Sequence, residues 1–293
     1  MKKERRLKVL FIGCGDIGVR CIHRLQMLEG WTGLAMRRHR DRLPATIPSV
    51  TGDICDTPHL TELLRKGGIN AIVVTLTPGE MSDEGYRASY VAGAESLASA
   101  IRDSGWCSGP VLWVSSTSVY GHGGGEWVDE LSDTVPASYR GERLLQAEGL
   151  ISQLSVPAVV IRYAGVYGPG RGRMLAQLHR GELAPPQPVQ WSNRIHAEDC
   201  AGVLVHLLQR YRADKPLHSL YLATDNEPAP LYDVHRWLAQ QLGISMPDTV
   251  AAASAGRVGN RRCSNRRLLE SGYQFLYPTF REGYAALISE SPE

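Results

Sequence analysis

An apolar run that ends in three closely spaced glycines constrains this chain more than any other feature: Leu7 to Gly18, LKVLFIGCGDIG. A hydrophobic strand that turns sharply into a helix over Gly13, Gly15 and Gly18 reads as the phosphate-cradling corner of a nucleotide-binding α/β sheet. Each glycine has its own task. The first permits the tight turn, the second lets backbone approach a pyrophosphate, and the third lets the helix pack close on the strand. The helix N-terminus beyond them attracts the anion. Ile17, Cys21, Ile22, Leu25 and Leu28 follow with helical spacing. Gly13, Cys14, Gly15, Asp16, Ile17 and Gly18 are therefore the expected diphosphate contacts.

The stretch from Trp31 to Met36 fits a second strand, and Arg37, Arg38 and Arg40 follow it at once. An NAD corner places an acidic residue on the adenosine ribose at this point; here guanidinium groups stand instead, which favours NADP over NAD. A basic surface loop is the alternative. Val50 to Ile54 reads as a third strand, with Asp53 placed to accept from an adenine amino group and Asp56 to cap a helix over 57–66. Ala71 to Leu76 is a continuous β-branched run, as in a central parallel strand, and delivers Thr75, Leu76 and Thr77 to its C-terminal mouth. A long helix over 83–103 precedes a strand at Val111–Val114, which carries Ser115 to Ser118 to the same edge. A helix over 137–153 sets Tyr139 and Arg143 on one face, and Pro157 to Arg162 reads as the sixth strand. This alternation predicts a doubly wound parallel sheet. Residues 1–168 are expected to form the nucleotide-binding domain. Residues 169–293 form a smaller substrate-binding region, with some segments returning to the first.

A net charge of +2, from 32 basic and 30 acidic residues, gives no imbalance that would draw a polyanion, so nucleic acid is not an expected partner. The apolar run behind KKERR is short and broken by glycines, and no segment approaches a membrane span; a cytoplasmic protein is expected. Six cysteines without metal-ligand or disulfide spacing read mostly as small core residues, and no metal site is expected. The basic and aromatic stretch NRRCSNRRLLESGYQFLYPTF is read as packing over a substrate pocket rather than as a nucleic-acid patch. Tyr120, His122 and Tyr167 either shape that pocket or pack loops.

Several separated strings coincide: GCGDIG, SSTSVYG at 115–121, Tyr139 with a basic residue four positions on, RYAGVYGPGR at 162–171 and NRIHAEDCA at 193–201. Together the chain resembles the extended short-chain dehydrogenases, the nucleotide-sugar epimerase and dehydratase superfamily. Its C-terminal part looks like an atypical bacterial branch described as NAD(P)-dependent epimerase/dehydratase-like. The resemblance implies a Rossmann-type doubly wound parallel sheet with a smaller C-terminal substrate-binding region. It places the family's catalytic hydroxyl on Ser116, with Thr117 and Ser118 as second candidates, and its tyrosine on Tyr139. The family's lysine falls on Arg143, a departure from the pattern. Tyr163 opens the loop near the nicotinamide, and a His-x-x-Asp pair falls on His196 and Asp199, the latter placed to cap the following helix.

Hydride chemistry at a carbon bearing oxygen needs a partner for the hydroxyl proton, and a tyrosine serves when a nearby cation stabilises the phenolate. Arginine supplies charge but not a compact ammonium. The expected function is an NADP-dependent oxidoreductase or epimerase/dehydratase-like enzyme acting on a hydroxyl or carbonyl of a sugar-like or nucleotide-linked small molecule. The alternative is a catalytically impaired NADP-binding sensor or scaffold. Either is compatible with a homodimer paired through the helices at 83–103 and 137–153.

Overall fold

The computed structural model describes residues 6–245 and 259–290. In chain order the elements are β1 (Leu7–Ile12), α1 (Asp16–Gln26), β2 (Trp31–Arg37), β3 (Ser49–Thr51), α2 (Thr57–Lys66), β4 (Ala71–Val74), α3 (Asp83–Tyr86), α4 (Ala92–Ser104) and β5 (Val111–Ser116). Then come β6 (Glu126–Val128), α5 (Tyr139–Ser152), β7 (Ala158–Tyr163), β8 (Gly165–Tyr167), α6 (Arg173–His179), β9 (Trp191–Ser192), β10 (Arg194–His196) and α7 (Ala197–Arg212). The chain ends with β11 (Leu220–Ala223), β12 (Ala229–Pro230), α8 (Leu231–Gln241), β13 (Arg261–Cys263), α9 (Arg266–Glu270) and α10 (Phe280–Glu290). The chain divides into two compact units. The first takes the chain up to Val119, Tyr139–Arg162 and Ala201–Tyr221; the second takes Tyr120–Ser138, Tyr163–Cys200 and the chain from Leu222 on. A division by position along the chain would cut at 168. The contacts assign 120–138 to the second unit and 201–221 to the first.

The first unit is built on a seven-stranded parallel sheet in the order β11-β7-β5-β4-β1-β2-β3, the doubly wound arrangement expected. β1 lies between β2 and β4, so the order reverses there and the C-terminal ends of β1 and β4 flank the switch point where ligands bind in such sheets. The strands on either side are buried on both faces, which is why they read as unbroken apolar runs: Val9 to Ile12 and Ala71 to Val74 lie in the core. α1 packs Gly18, Cys21, Ile22 and Leu25 inward. α2 starts where Asp56 accepts from the His59 N–H, with Pro58 in its first turn, as the sequence predicts.

A single π turn at Arg87–Val91 interrupts the long helix after β4, a departure from the continuous α-helix predicted. Beside it the Tyr86 and Tyr90 rings lie 5.4 Å apart, and the Tyr90 hydroxyl donates to the Leu76 carbonyl at 3.2 Å. A buried cluster holds α5 to the sheet. Arg162 on β7 donates from Nη2 to Glu148 on α5 at 2.6 Å, and the Ser115 hydroxyl on β5 donates to the same carboxylate at 2.5 Å. Losing either charge would strand the other at a cost of about 3–5 kcal/mol, so the register of α5 against β5 is tightly held.

The second unit has short paired strands, β8 with β10, β9 with β12 and β6 with β13, around a core of Tyr167, Leu178, Val234, Leu238, Phe280 and Tyr284. Asp199 does not cap the helix that follows, contrary to expectation. It lies within the first turn of α7, fully buried, and accepts from the Tyr273 hydroxyl at 2.8 Å and from the Leu276 and Tyr277 N–H groups at 2.7 and 3.0 Å. A helix cap is satisfied locally, whereas this carboxylate is spent on a segment more than 70 residues away. The capping acceptor is instead His196 Nδ1, which receives the Glu198 N–H at 3.2 Å.

Asp225 is buried beside the Arg194 backbone, its N–H donating to that carbonyl at 2.7 Å. Burial pushes its carboxyl up from 3.8 to about 7, against the pull of the Arg194 charge. A raised carboxyl pKa means that the folded chain holds a proton which the unfolded chain has released. Stability therefore falls as pH rises from about 4 to about 7 and is level above that. Asp225→Asn is expected to remove this slope and to stabilise the protein at pH 8 by up to about 4 kcal/mol. Thermal unfolding of both proteins at pH 5 and pH 8 checks it; an unchanged difference in Tm between the two pH values would contradict it.

Candidate functional site

The glycine corner closes β1 onto the switch point. Gly13 adopts φ +69°, a region that only glycine enters without strain, and the N–H groups of Gly13 and Cys14 both reach the Met36 carbonyl on β2. A Cβ on Gly13 would lie 2.8 Å from Leu76 Cδ2, and one on Gly18 would lie 2.7 Å from Cys14 Sγ, so the protein's own packing demands both glycines. Gly15 is different. A Cβ there would meet nothing nearer than the Gly13 carbonyl oxygen at 3.9 Å, and its φ is −103°. Gly15 also precedes α1 with no side-chain cap, and the Asp16 carboxylate turns back onto Arg20 at 2.8 Å. No side chain at the N-cap therefore caps α1, and the space that a Cβ at Gly15 would enter lies at the start of that helix. That combination fits a dinucleotide diphosphate. Cys14 is buried, its thiol pushed up to about 12, so it is a packing group and not a thiolate at neutral pH.

Arg37 ends β2 half-buried and close enough to act electrostatically on Cys14. Arg38 is 62% exposed, with its Nη1 atom 3.8 Å from an Asp53 carboxylate oxygen. Asp53 also accepts the Cys55 N–H at 2.9 Å. Across the switch point Thr75 bonds the end of β1 through its N–H and meets the Gly13 carbonyl through its hydroxyl at 3.4 Å. Leu76 is half-buried and Thr77 is exposed. Tyr163 is buried, and its hydroxyl donates to the Cys200 carbonyl at 2.6 Å, so its polar end is committed to main chain.

Ser116 is the last residue of β5, and the Ser118 N–H donates to its Oγ at 3.2 Å. As an acceptor in that bond, Ser116 keeps its hydroxyl proton to donate. Tyr139 opens α5, which packs on β5 and on the turn at 117–119, so Ser116 and Tyr139 stand on elements in mutual contact. The Tyr139 hydroxyl donates to the Met81 carbonyl at 2.6 Å, and its ring meets Tyr86 edge-on at 5.7 Å. Arg143 binds Asp83 through both ends of its fork, at 2.6 and 2.8 Å, and holds that carboxyl below the usual range. Both side chains are therefore engaged by one segment, 81–83, just before and at the start of α3. The cation next to the phenol is Arg140, whose Nε donates to the Tyr139 oxygen at 3.4 Å. Sequence reasoning passed over Arg140, although it sits next to Tyr139. Asp83 gave no signal at all, being 60 positions from Arg143.

His196 packs edge-on against Tyr167 at 5.1 Å and on Tyr277 at 4.1 Å, which gives it a packing role in the second unit. Tyr167 stacks on Tyr284 at 4.5 Å, and the Tyr120 hydroxyl donates to the Asp129 carbonyl at 2.7 Å. Cys14, Cys21, Cys200 and Cys263 are buried, whereas Cys55 and Cys107 are exposed. Among the described residues no helix is long and apolar enough to cross a membrane.

A doubly wound sheet with this glycine corner defines a dinucleotide-binding α/β protein. Residues 13–222 match the model of the NAD dependent epimerase/dehydratase family, and the chain belongs to that family. A solved structure from Methylobacillus flagellatus, provisionally described as an NAD-dependent epimerase/dehydratase, is 35% identical. It covers 97% of this chain and 98% of its own, with a TM-score of 0.81. The Bordetella bronchiseptica enzyme WbmG, solved with NAD and UDP, shares the fold with a TM-score of 0.79 at 16% identity, over 97% of this chain and 94% of its own. The 3-diazoavenalumate denitrifying reductase of a Streptomyces species is 28% identical over 162 residues, 47% of this chain. The match spans about half the length of that curated relative, 49%.

Proposed function

We propose that this chain is an NADP-dependent oxidoreductase or epimerase/dehydratase-like enzyme acting on a hydroxyl or carbonyl of a sugar-like or nucleotide-linked small molecule. The observation that carries it is the open space at Gly15 before a helix with no side-chain cap, together with Ser116 and Tyr139 on elements packed against each other. Gly13 to Gly18 would hold the diphosphate, Asp53 the adenine, and Thr75, Leu76, Thr77 and Tyr163 the wall toward the nicotinamide. Arg37 and Arg38 would fork onto a 2′-phosphate. When bound, NADP exchanges a hydride with the substrate carbon. Ser116 donates a hydrogen bond to the substrate oxygen and stabilises charge developing there. Tyr139 gives or takes the proton of that oxygen at its Oη, and Arg143, with Arg140 nearer the phenol, supplies positive charge. The scattered, unbridged cysteines favour a reducing, cytoplasmic setting.

A second reading, an NADP-binding sensor or scaffold without turnover, draws on a specific observation. Arg143 is spent on Asp83, and the Tyr139 proton is held by Met81. Two copies pairing through the helices at 83–104 and 139–152 fit either reading. Calorimetric titration with NADP and NAD tests the shared premise. The wild type is expected to prefer NADP, and Arg37→Ala with Arg38→Ala is expected to lose about 2–4 kcal/mol of NADP binding while keeping NAD binding. Equal wild-type affinity for both cofactors would remove the 2′-phosphate assignment.

A further inference from the structure

The arginine-rich string at 261–267 contributes four guanidinium groups to the second unit, and three of them are accounted for. Arg261 is buried over the Tyr120 ring, Arg266 pairs with Glu270 at 2.6 Å, and Arg267 faces Glu130 at 3.7 Å. Arg262 faces no carboxylate among the described residues. β13 pairs in parallel with β6, setting Arg262 opposite Trp127 and Arg261 opposite Glu126, so alternation puts the two arginines on opposite faces. The Arg262 guanidinium carbon then lies 5.1 Å from the Trp127 ring centre and 4.8 Å from that of Trp191, so two indoles flank one guanidinium. Its Nε donates to the Gly125 carbonyl at 2.8 Å. No acceptor among the described residues meets its two Nη atoms.

The mounting is rigid. Asn260 accepts the Trp191 N–H at 2.7 Å and donates to the Val189 carbonyl at 2.9 Å, while Asn193 accepts the Cys263 N–H at 2.7 Å and donates to the Arg261 carbonyl at 2.9 Å. Gly125, at φ +86°, would bring a Cβ to 3.1 Å from Trp191, so the close approach of that indole requires glycine. Trp127 is 55% exposed, which leaves the cluster open to solvent on its side. With its Nε on the Gly125 carbonyl, the guanidinium keeps its two Nη atoms for a ligand, and that donor edge matches an anion with two oxygens in a plane.

We propose that Arg262, flanked by Trp127 and Trp191, is an anion-binding site that takes a carboxylate or phosphate group. All three residues belong to the second unit, so the inference does not depend on the proposed function. Titration calorimetry of the full chain with inorganic phosphate and, separately, with benzoate tests it without turnover. At least one probe is expected to bind saturably at one site; which of the two binds distinguishes a phosphate from a carboxylate ligand. Arg262→Lys keeps the charge and loses the planar fork, and is expected to weaken binding on the order of 10-fold. Arg262→Ala abolishes binding, while the surface control Arg236→Ala does not change it. NADP titrations of the same proteins are expected to be identical. Failure of both probes to bind the wild type, or wild-type affinity in Arg262→Lys, overturns the site. Loss of NADP binding with probe binding intact would instead overturn the proposed function and leave the anion site standing.

Discussion

Gly15→Val is expected to weaken NADP binding on the order of 100-fold while leaving the fold in place. The three glycines of the corner look alike in the sequence, but their surroundings separate them. Gly13 needs its positive φ, and Gly18 has Cys14 against it, so larger residues at either place strain the protein itself. Gly15 has neither constraint. A valine there projects into the space before α1, pushing any diphosphate away from the first N–H groups of the helix. Two lost hydrogen bonds to a charged group amount to about 3 kcal/mol or more, hence on the order of 100-fold in affinity. Calorimetry with NADP and a thermal melt separate the two effects: the affinity collapses and Tm stays near the wild-type value. Gly13→Ala supplies the contrast, lowering Tm and binding together. A Gly15→Val protein that holds NADP as well as the wild type would show that no diphosphate lies over this corner.

Tyr139→Phe is expected to lower turnover by about 10²–10⁴, the usual worth of a positioned acid or base, with NADP affinity unchanged. The phenylalanine keeps the edge-on contact with Tyr86 and removes only the hydroxyl. That hydroxyl also bonds Met81, and the loss of a single such bond costs about 1 kcal/mol. The two roles have different signatures. A proton-transfer role shows in kcat, measured as NADPH consumption over a panel of carbonyl and nucleotide-sugar substrates. A purely anchoring role shows in Tm alone. Turnover that survives the substitution would make Tyr139 a tether for the segment 81–83, and the sensor reading would then gain the stronger support.

Asp83 engages Arg143 through both prongs of its fork. A lysine at this position would offer a single point charge, whereas arginine makes a two-pronged bond that ties α5 to the start of α3. The cation left near the phenol is Arg140, on the neighbouring residue.

Features carried by local spacing were legible before any coordinates. The glycine corner, the doubly wound order of strands, the Asp56 cap and the burial of Cys14 all depend on backbone sterics or on hydrophobic period within about a dozen residues. Asp199 was misread for the same reason: its position just inside a helix start looks like a cap, and nothing nearby reveals that residues 273–277 claim its carboxylate. Arg262 with its flanking indoles was visible only as one arginine in a basic string.

By itself the amino-acid order determined that this chain forms a parallel α/β sheet with a glycine-rich turn at its first strand, because turns and apolar periods are written in neighbouring residues. Only the folded chain decided which partner each charged side chain takes. Arg143 with Asp83, Glu148 with Arg162 and Ser115, and Arg262 between two indoles join residues that are distant in the chain or lie on separate strands. Such pairings come from the closure of the chain in three dimensions, where burial makes each unpaired charge costly and so selects the partner.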